Sequence, residues 1–389
     1  MTYQQENTAF DQAMELLIKN GFNEIATPIC TLMNAAMKIE RARFLNAAPY
    51  ERTDKRQGYA NGYKNKTVNT RVGSIQLDVP QTRNCDFYPS SLERVLRSER
   101  ALKLALAEMY VQGVSTRKVA KITETLCGFE VTSSEVSRAS KDLDDQLEMW
   151  RNRKLDAYPY VYLDARYENV RTGGVVTSCA ALIAIGVSAT GHRQVIGVSV
   201  ELSEAEVHWK RFISSLKNRG LHGVKLFISD AHEGLKAART AVFPTVPWQR
   251  CQFHLQQNAG AYIPRQNMKK EVAARIRGIF NAHSDAEALR LLELFVDDYS
   301  KTAPRLADWA EEALPQGLVV FQMPEEHRRK IRTSNMLERL NREVNRRTSV
   351  AGIFPNTKSC LRLVTAVTME KSDEWETGRR YLKMDTPKE

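Results

Sequence analysis

Residues 160–171 read YVYLDARYENVR, and the fold is decided here. Val161, Tyr162 and Leu163 form an apolar run of strand character that ends on the carboxylate of Asp164. An acid at that point is costly if it is buried without a partner; the plain alternative is a surface Asp after an edge strand. The arrangement recurs in LFISDAHEGL, residues 226–235, where Leu226, Phe227 and Ile228 lead into Asp230. Repetition weakens coincidence as an explanation. A third acidic segment, RTSNMLERLNREVNRR (332–347), has helical spacing. At about 100° per residue, Leu337, Leu340 and Val344 share one face, while Glu338 lies on another arc with Asn335, Asn341, Arg342 and Asn345. That helix would bury its leucines and turn Glu338 toward a polar cleft, although a solvent-facing Glu is the commoner case.

Outward from Asp164 the pattern stays β-rich. Residues 160–166, 175–187 and 195–202 read as three successive strands, joined by turns at 171–174 and 190–192. An amphipathic helix over 204–218, a fourth strand over 224–229, a helix over 233–242 and a fifth strand over 246–253 follow. The order βββαβαβ is that of the RNase H-like fold, an α/β core with a mixed sheet in which the first and fourth strands lie side by side. Asp164 and Asp230 then meet at one sheet edge. Residues 257–327 read as a helical insertion and 328–372 as the completion of the core with the Glu-bearing helix. Residues 373–389 read as a C-terminal tail. Acids brought together from two strands and a helix repel unless a cation offsets them, and Mg²⁺ takes carboxylate oxygens readily.

Upstream, residues 1–95 form a helical and basic region. From Arg41 to Arg71, eight Lys/Arg face two Asp/Glu, with Tyr59 and Tyr63 interleaved. That mixture suits contact with a nucleic-acid backbone, or an ordinary solvated loop. Residues 96–150 suggest a helix-turn-helix-like module, with Ser115 capping one helix and Ser133 or Ser134 the next. In that reading Ser133, Ser134, Ser137 and Arg138 lie at the recognition end and Lys118 and Lys121 face phosphates; a plain helical hairpin is the alternative. Across 328–347 eight Lys/Arg again face two Glu, which places Arg342, Arg346 and Arg347 as candidate phosphate contacts. Cys251 and His254 form a Cys-x₂-His in WQRCQFHLQQN, half of a zinc site at most. On a strand their side chains would point apart, so a packing or site-proximal role is the better reading.

The chain has 389 residues, 42% of them hydrophobic, and a formal net charge of +11. The length admits two or three domains, and the charge favours a polyanionic partner. Six scattered cysteines make no disulfide framework, no stretch is long enough to span a membrane, and the first residues lack a signal-peptide pattern. A soluble cytoplasmic protein is expected.

The sequence resembles the Mutator-type transposases of bacterial insertion sequences. The segments that carry the resemblance run in order along nearly the whole chain: NGYKNKTVNTRVGSIQLDVPQTR, MYVQGVSTRKVAKI, YVYLDARYENVR, SDAHEGL, WQRCQFH, NMLERLNREVNRR and WETGRRYL. The resemblance implies an RNase H-like catalytic domain whose Asp-Asp-Glu triad falls on Asp164, Asp230 and Glu338, with Cys251 and His254 on the family's Cys-x₂-His. It implies a metal-dependent DNA transposase that uses two Mg²⁺ or Mn²⁺ ions, about 3.5–4 Å apart, to cut the element's ends and join the 3′-OH to target DNA. It further implies terminal inverted repeats and target DNA as partners, a homodimer or larger assembly on DNA, and association with the bacterial nucleoid when bound. Two other classes fit parts of the pattern: a non-catalytic DNA-binding regulator derived from a transposase, and an RNase H-like nuclease without strand transfer.

Overall fold

The computed structural model describes residues 8–48, 50–92, 98–141 and 143–384. The chain divides into two compact units between Leu143 and Asp144.

The first unit begins with α1 (Ala9–Asn20) and α2 (Ala26–Leu45). Thr8 and Asp11 close a capping box at the start of α1. The polar stretch that follows is a strand, not a loop. Residues β1 (Tyr59–Thr70) pair antiparallel with β2 (Gly73–Arg83) through a tight turn at 71–72. In β1 only Val68 is buried, so its own sequence carries no alternation. Its partner supplies the apolar side, with Ile75, Leu77 and Val79 buried against Met37 of α2. Then come α3 (Arg100–Val111), α4 (Thr116–Cys127) and α5 (Ser133–Lys141), packed around Leu102, Leu106, Val119 and Val136. Ser115 Oγ caps α4 by accepting from the Lys118 N–H at 3.3 Å. The cap of α5 is Thr132, one residue before the expected serines: its Oγ1 accepts from the Glu135 N–H while Glu135 accepts from the Thr132 N–H.

The second unit opens with α6 (Asp144–Asn152), a helix that the sequence assigned to the preceding module. Asp144 accepts both arms of the buried Arg362 guanidinium, at 2.6 and 2.7 Å, which ties α6 to the last helix of the chain. Strands β3 (Tyr160–Thr172), β4 (Val175–Val187) and β5 (Arg193–Glu201) form an antiparallel meander. Helix α7 (Glu206–Asn218), β6 (Leu226–Ser229), α8 (Glu233–Val242) and β7 (Trp248–Arg250) follow. The mixed sheet runs β5-β4-β3-β6-β7, with β6 parallel to β3 and β7 parallel to β6. One face packs on α7 and α8 through Val161, Leu163, Leu182, Trp209, Phe212 and Leu235. The expected fifth strand stops at Arg250, because the chain turns into α9 (Gln252–Ala259).

Helices α10 (Lys269–Phe280), α11 (Asp285–Ser300), α12 (Pro304–Ala313) and α13 (Glu325–Ile331) come next. Two long helices, α14 (Asn335–Ala351) and α15 (Thr357–Thr377), return to the sheet. The segment read as a tail is the last turn of α15 and a packed strap; its residues 385–389 lie outside the described residues. Leu382 is buried, and the Tyr381 and Leu382 N–H groups donate to the Gly191 carbonyl. Gly191 has φ +84, and a Cβ there would lie 2.0 Å from the Leu382 carbonyl oxygen. Gly191→Ala therefore displaces the strap and lowers stability by about 1–3 kcal/mol, readable in thermal unfolding. Among the described residues no helix is long and apolar enough to cross a membrane. All six cysteines are free.

Candidate active site

Strand pairing brings the two aspartates level. Tyr160, Val161 and Tyr162 pair with Leu226, Phe227 and Ile228, and the ladder ends there. Continued at the same offset, the register sets Asp164 opposite Asp230. Asp164 does not end its strand, as the apolar run suggested. It sits inside β3, two residues past the point where β6 stops pairing, so one edge of its backbone is open. Its Oδ1 accepts from the Ala165 N–H at 3.0 Å and its Oδ2 from Asn341 Nδ2 at 2.8 Å. Asp230 Oδ1 accepts from the Ala231 N–H at 2.7 Å. The residue Asp164 keeps some surface, but burial of its carboxyl pushes the pKa up to about 7. The Ala165 N–H and His254 oppose that rise, while Glu204 and Asp230 add to it.

Helix α14 lies over this point with the predicted faces. Met336, Leu337, Leu340 and Val344 are buried, and Asn341 and Asn345 reach β3. Arg166 of β3 donates to the Asn341 carbonyl and to Asn345 Oδ1, and it pairs with the buried Glu168. Glu168 in turn accepts from Thr348 Oγ1 at 3.0 Å. These bonds fix the rotation of α14 about its axis. Glu338 Oε1 is buried and accepts no hydrogen bond; His254 Nε2 stands 4.0 Å from it.

Cys251 and His254 do not point apart. Cys251 is the residue before α9 and His254 lies in its first turn, so the strand-to-helix change puts both on one side. The fully buried Cys251 sulfur accepts from the Ser334 N–H at 3.3 Å and from Ser334 Oγ at 3.2 Å. Ser334 precedes α14, so the thiol anchors the helix that carries Glu338. Burial would raise the Cys251 pKa, but the nearby His254 ring and the two Ser334 donors outweigh it and the net shift is downward. The Cys251 thiol pushes His254 up to about 9 against the effect of burial, with Asp230 and Asp164 adding to the rise. The His254 ring, shifted toward its charged form, faces Asp164, Asp230 and Glu338.

One carboxylate escaped the sequence reading. Glu204 lies in the loop between β5 and α7, close enough to act on Asp164, and its Oε2 is 3.9 Å from His232. No motif marks it. The trace in sequence is Gly234 of SDAHEGL, where a Cβ would come 2.5 Å from the Glu204 carbonyl oxygen. Only glycine lets that loop press onto the start of α8.

The donor set suits a hard cation: carboxylate oxygens from Asp164, Asp230 and Glu338, one of them buried with no hydrogen bond. Among the described residues, however, no group of three or more His, Cys, Asp or Glu side chains is close enough together to enclose an ion. The acids converge on His254 without closing on each other, as carboxylates facing a single positive group would.

Of the residues read as DNA contacts, Lys118, Lys121, Ser133, Ser134, Ser137 and Arg138 are exposed on α4 and α5. Arg342 is exposed, and Arg346 pairs with Glu343 at 3.1 Å. Arg347 is a correction. It is 3% exposed and donates to both oxygens of Glu370, at 2.6 and 3.3 Å, which removes it from any DNA surface. Its position on the α14 face that meets α15 accounts for this.

The sequence pattern of the family described as "Transposase, Mutator family" matches residues 1–378. The chain is 54% identical to the transposase for insertion sequence element IS406 of Burkholderia multivorans, over 98% of this chain and 99% of that protein. It is 43% identical to the transposase for ISRM5 of Rhizobium meliloti, over 100% and 98% of the two chains. It is 40% identical to the transposase for IS256 in transposon Tn4001 of Staphylococcus aureus, over 92% of each. The chain belongs to the Mutator family of transposases.

Proposed function

We propose that this chain cuts DNA at the ends of an insertion sequence and joins the exposed 3′-OH to target DNA, with Asp164, Asp230 and Glu338 as its acidic triad. The observation that carries this reading is the level placement of Asp164 and Asp230 on parallel neighbours, with the Glu338 helix tied over them through Asn341. The element order βββαβαβ supports an RNase H-like core, in which residues 257–327 are a helical insertion and 328–372 complete the core. Residues 96–150 would serve as the DNA-recognition module and residues 1–95 as a basic flank.

The three carboxylates would hold Mg²⁺ or Mn²⁺, two ions, which when bound supply Lewis-acid polarisation of the scissile phosphate and a more acidic nucleophile. The chain's own groups prepare the site. Asn341 fixes the Asp164 carboxylate, Cys251 fixes the start of α14, and the His254 imidazolium offsets the acids before a cation does. In cleavage, water adds to the phosphorus and the element's 3′-oxygen leaves as a hydroxyl, with the phosphate remaining on the flank. In joining, that 3′-OH adds to a target phosphodiester and the target's own 3′-oxygen leaves. Each step makes one P–O bond and breaks one, so no external energy source and no covalent enzyme intermediate is needed. Two ends must be held together, so a dimer or larger assembly on DNA is expected.

The test is to incubate the chain with labelled end DNA and Mg²⁺ and map the products. A nick at the element boundary followed by joined product supports the proposal. Binding without a nick assigns a regulator, and a nick without joining assigns a nuclease. On the recognition side, Arg138→Gln should weaken end binding and lower the slope of log affinity against log salt by about 1, as expected for one lost phosphate contact. Arg347→Ala should leave that slope unchanged.

A further inference from the structure

A hollow beside the acidic site has the chemistry of a nucleotide pocket. Its volume is about 180 Å³, and it lies between α9, α10 and the start of α14, lined by Phe253, Gln256, Arg277, Asn281, Arg332 and Asn335. A cleft of that size suits a single flat ring rather than a base pair. Phe253 is 41% exposed, and its ring meets the His254 ring edge-on with 5.6 Å between centroids. It also walls a second hollow of about 320 Å³.

The rim is cationic. Among the described residues neither Arg277 nor Arg332 pairs with a carboxylate; Arg332 is held by Asn281 Oδ1 at 2.7 Å. Two guanidiniums without counter-charges favour a phosphate. The amides of Gln256 and Asn335 each offer a donor and an acceptor, the complement of a base edge. The location is decided by the helices. Phe253 is followed by His254, and Asn335 lies one helical turn before Glu338 on the same side of α14. An occupant of this hollow is therefore next to the phosphate that the triad would address.

We propose that this hollow receives one unpaired nucleotide of the DNA end, its base stacked on Phe253 and its phosphate held by Arg277 and Arg332. Extruding a nucleotide next to the cut would open the duplex where the acids must reach the backbone. The inference rests on reading the site as one that processes DNA ends.

The test is a binding cycle run in chelator, with the full chain and end DNA carrying single abasic sites scanned across the cut. Phe253→Ala should weaken binding to intact end DNA about tenfold, in the range for lost base–aromatic stacking. At one position, the abasic site should weaken binding of the unsubstituted chain by a similar factor, and Phe253→Ala should then add no further loss. Phe253→Leu, which keeps apolar bulk for packing, should show the same coupling and serves if the alanine variant misfolds. Losses that multiply at every position scanned would overturn the proposal, as would unchanged affinity in a folded Phe253→Ala chain. Because no chemistry occurs in chelator, a chain that never cuts DNA would still show the coupling, so the two claims fail separately.

Discussion

Asp164→Asn should reduce strand cleavage by on the order of 10³-fold while leaving end binding intact. The substitution keeps the shape of the side chain and its bond from the Ala165 N–H, and the Asn341 amide can turn its unpaired oxygen to accept from the new NH₂. It removes the negative charge that a cation needs, and the loss falls on the reacting state rather than on the bound ground state. Affinity for end DNA should hold or rise slightly, since one repulsive charge near phosphate is gone. Glu338→Gln should behave in the same way. The paired readout separates the acidic site from the recognition surface. If Asp164→Asn cuts as fast as the unsubstituted chain, the acid is an ordinary strand residue. If both variants lose DNA binding as well, these residues serve structure rather than chemistry.

Cys251→Ala should destabilise the second unit and misplace Glu338 together. It leaves the Ser334 N–H and Oγ buried with no acceptor, since Ser334 is 1% exposed. Two such groups cost about 2–3 kcal/mol, a fall of roughly 5–10 °C in melting temperature for a unit of this size. Cys251→Ser, which restores an oxygen acceptor at shorter reach, should recover part of the loss. The pair also has a protonation signature. His254 is raised from 6.5 to about 9, so taken alone it contributes stability that is complete below pH 6.5 and lost as pH rises through about 9. Cys251 is lowered, which contributes in the opposite sense, present above its unfolded value and lost as pH falls. The two act in opposite senses, so the pair's net pH dependence is smaller than that of His254 alone. The His254 titration followed by NMR should still move from about 9 toward 6.5 in Cys251→Ala. An unmoved titration would mean the sulfur does not charge the ring.

Legibility in the sequence followed the length scale of each cause. The strands that lead into Asp164 and Asp230 are readable because each is its own apolar run, and α14 because its leucines repeat at helical spacing. These are local signals. Strand β1 was not readable, since its apolar support lies on β2 and α2. The orientation of Cys251 and His254 is not readable for a similar reason: Val246, Trp248 and Phe253 suggest a longer strand, yet β7 ends at Arg250 and the next residues start a helix. Arg347 looked like its basic neighbours, and only the packing of α15 identifies it as a buried partner of Glu370. Glu204 sits on a loop with no periodicity, so only the fold brings it near Asp164.

The central claim is that Asp164, Asp230 and Glu338 share divalent cations. The most direct measurement is anomalous diffraction at the manganese edge from crystals of the chain bound to end DNA in Mn²⁺. The account predicts manganese between Asp164 and Asp230, with Glu338 drawn off His254 to complete the coordination. Manganese absent from that position, or bound there with Glu338 still turned away, would contradict it.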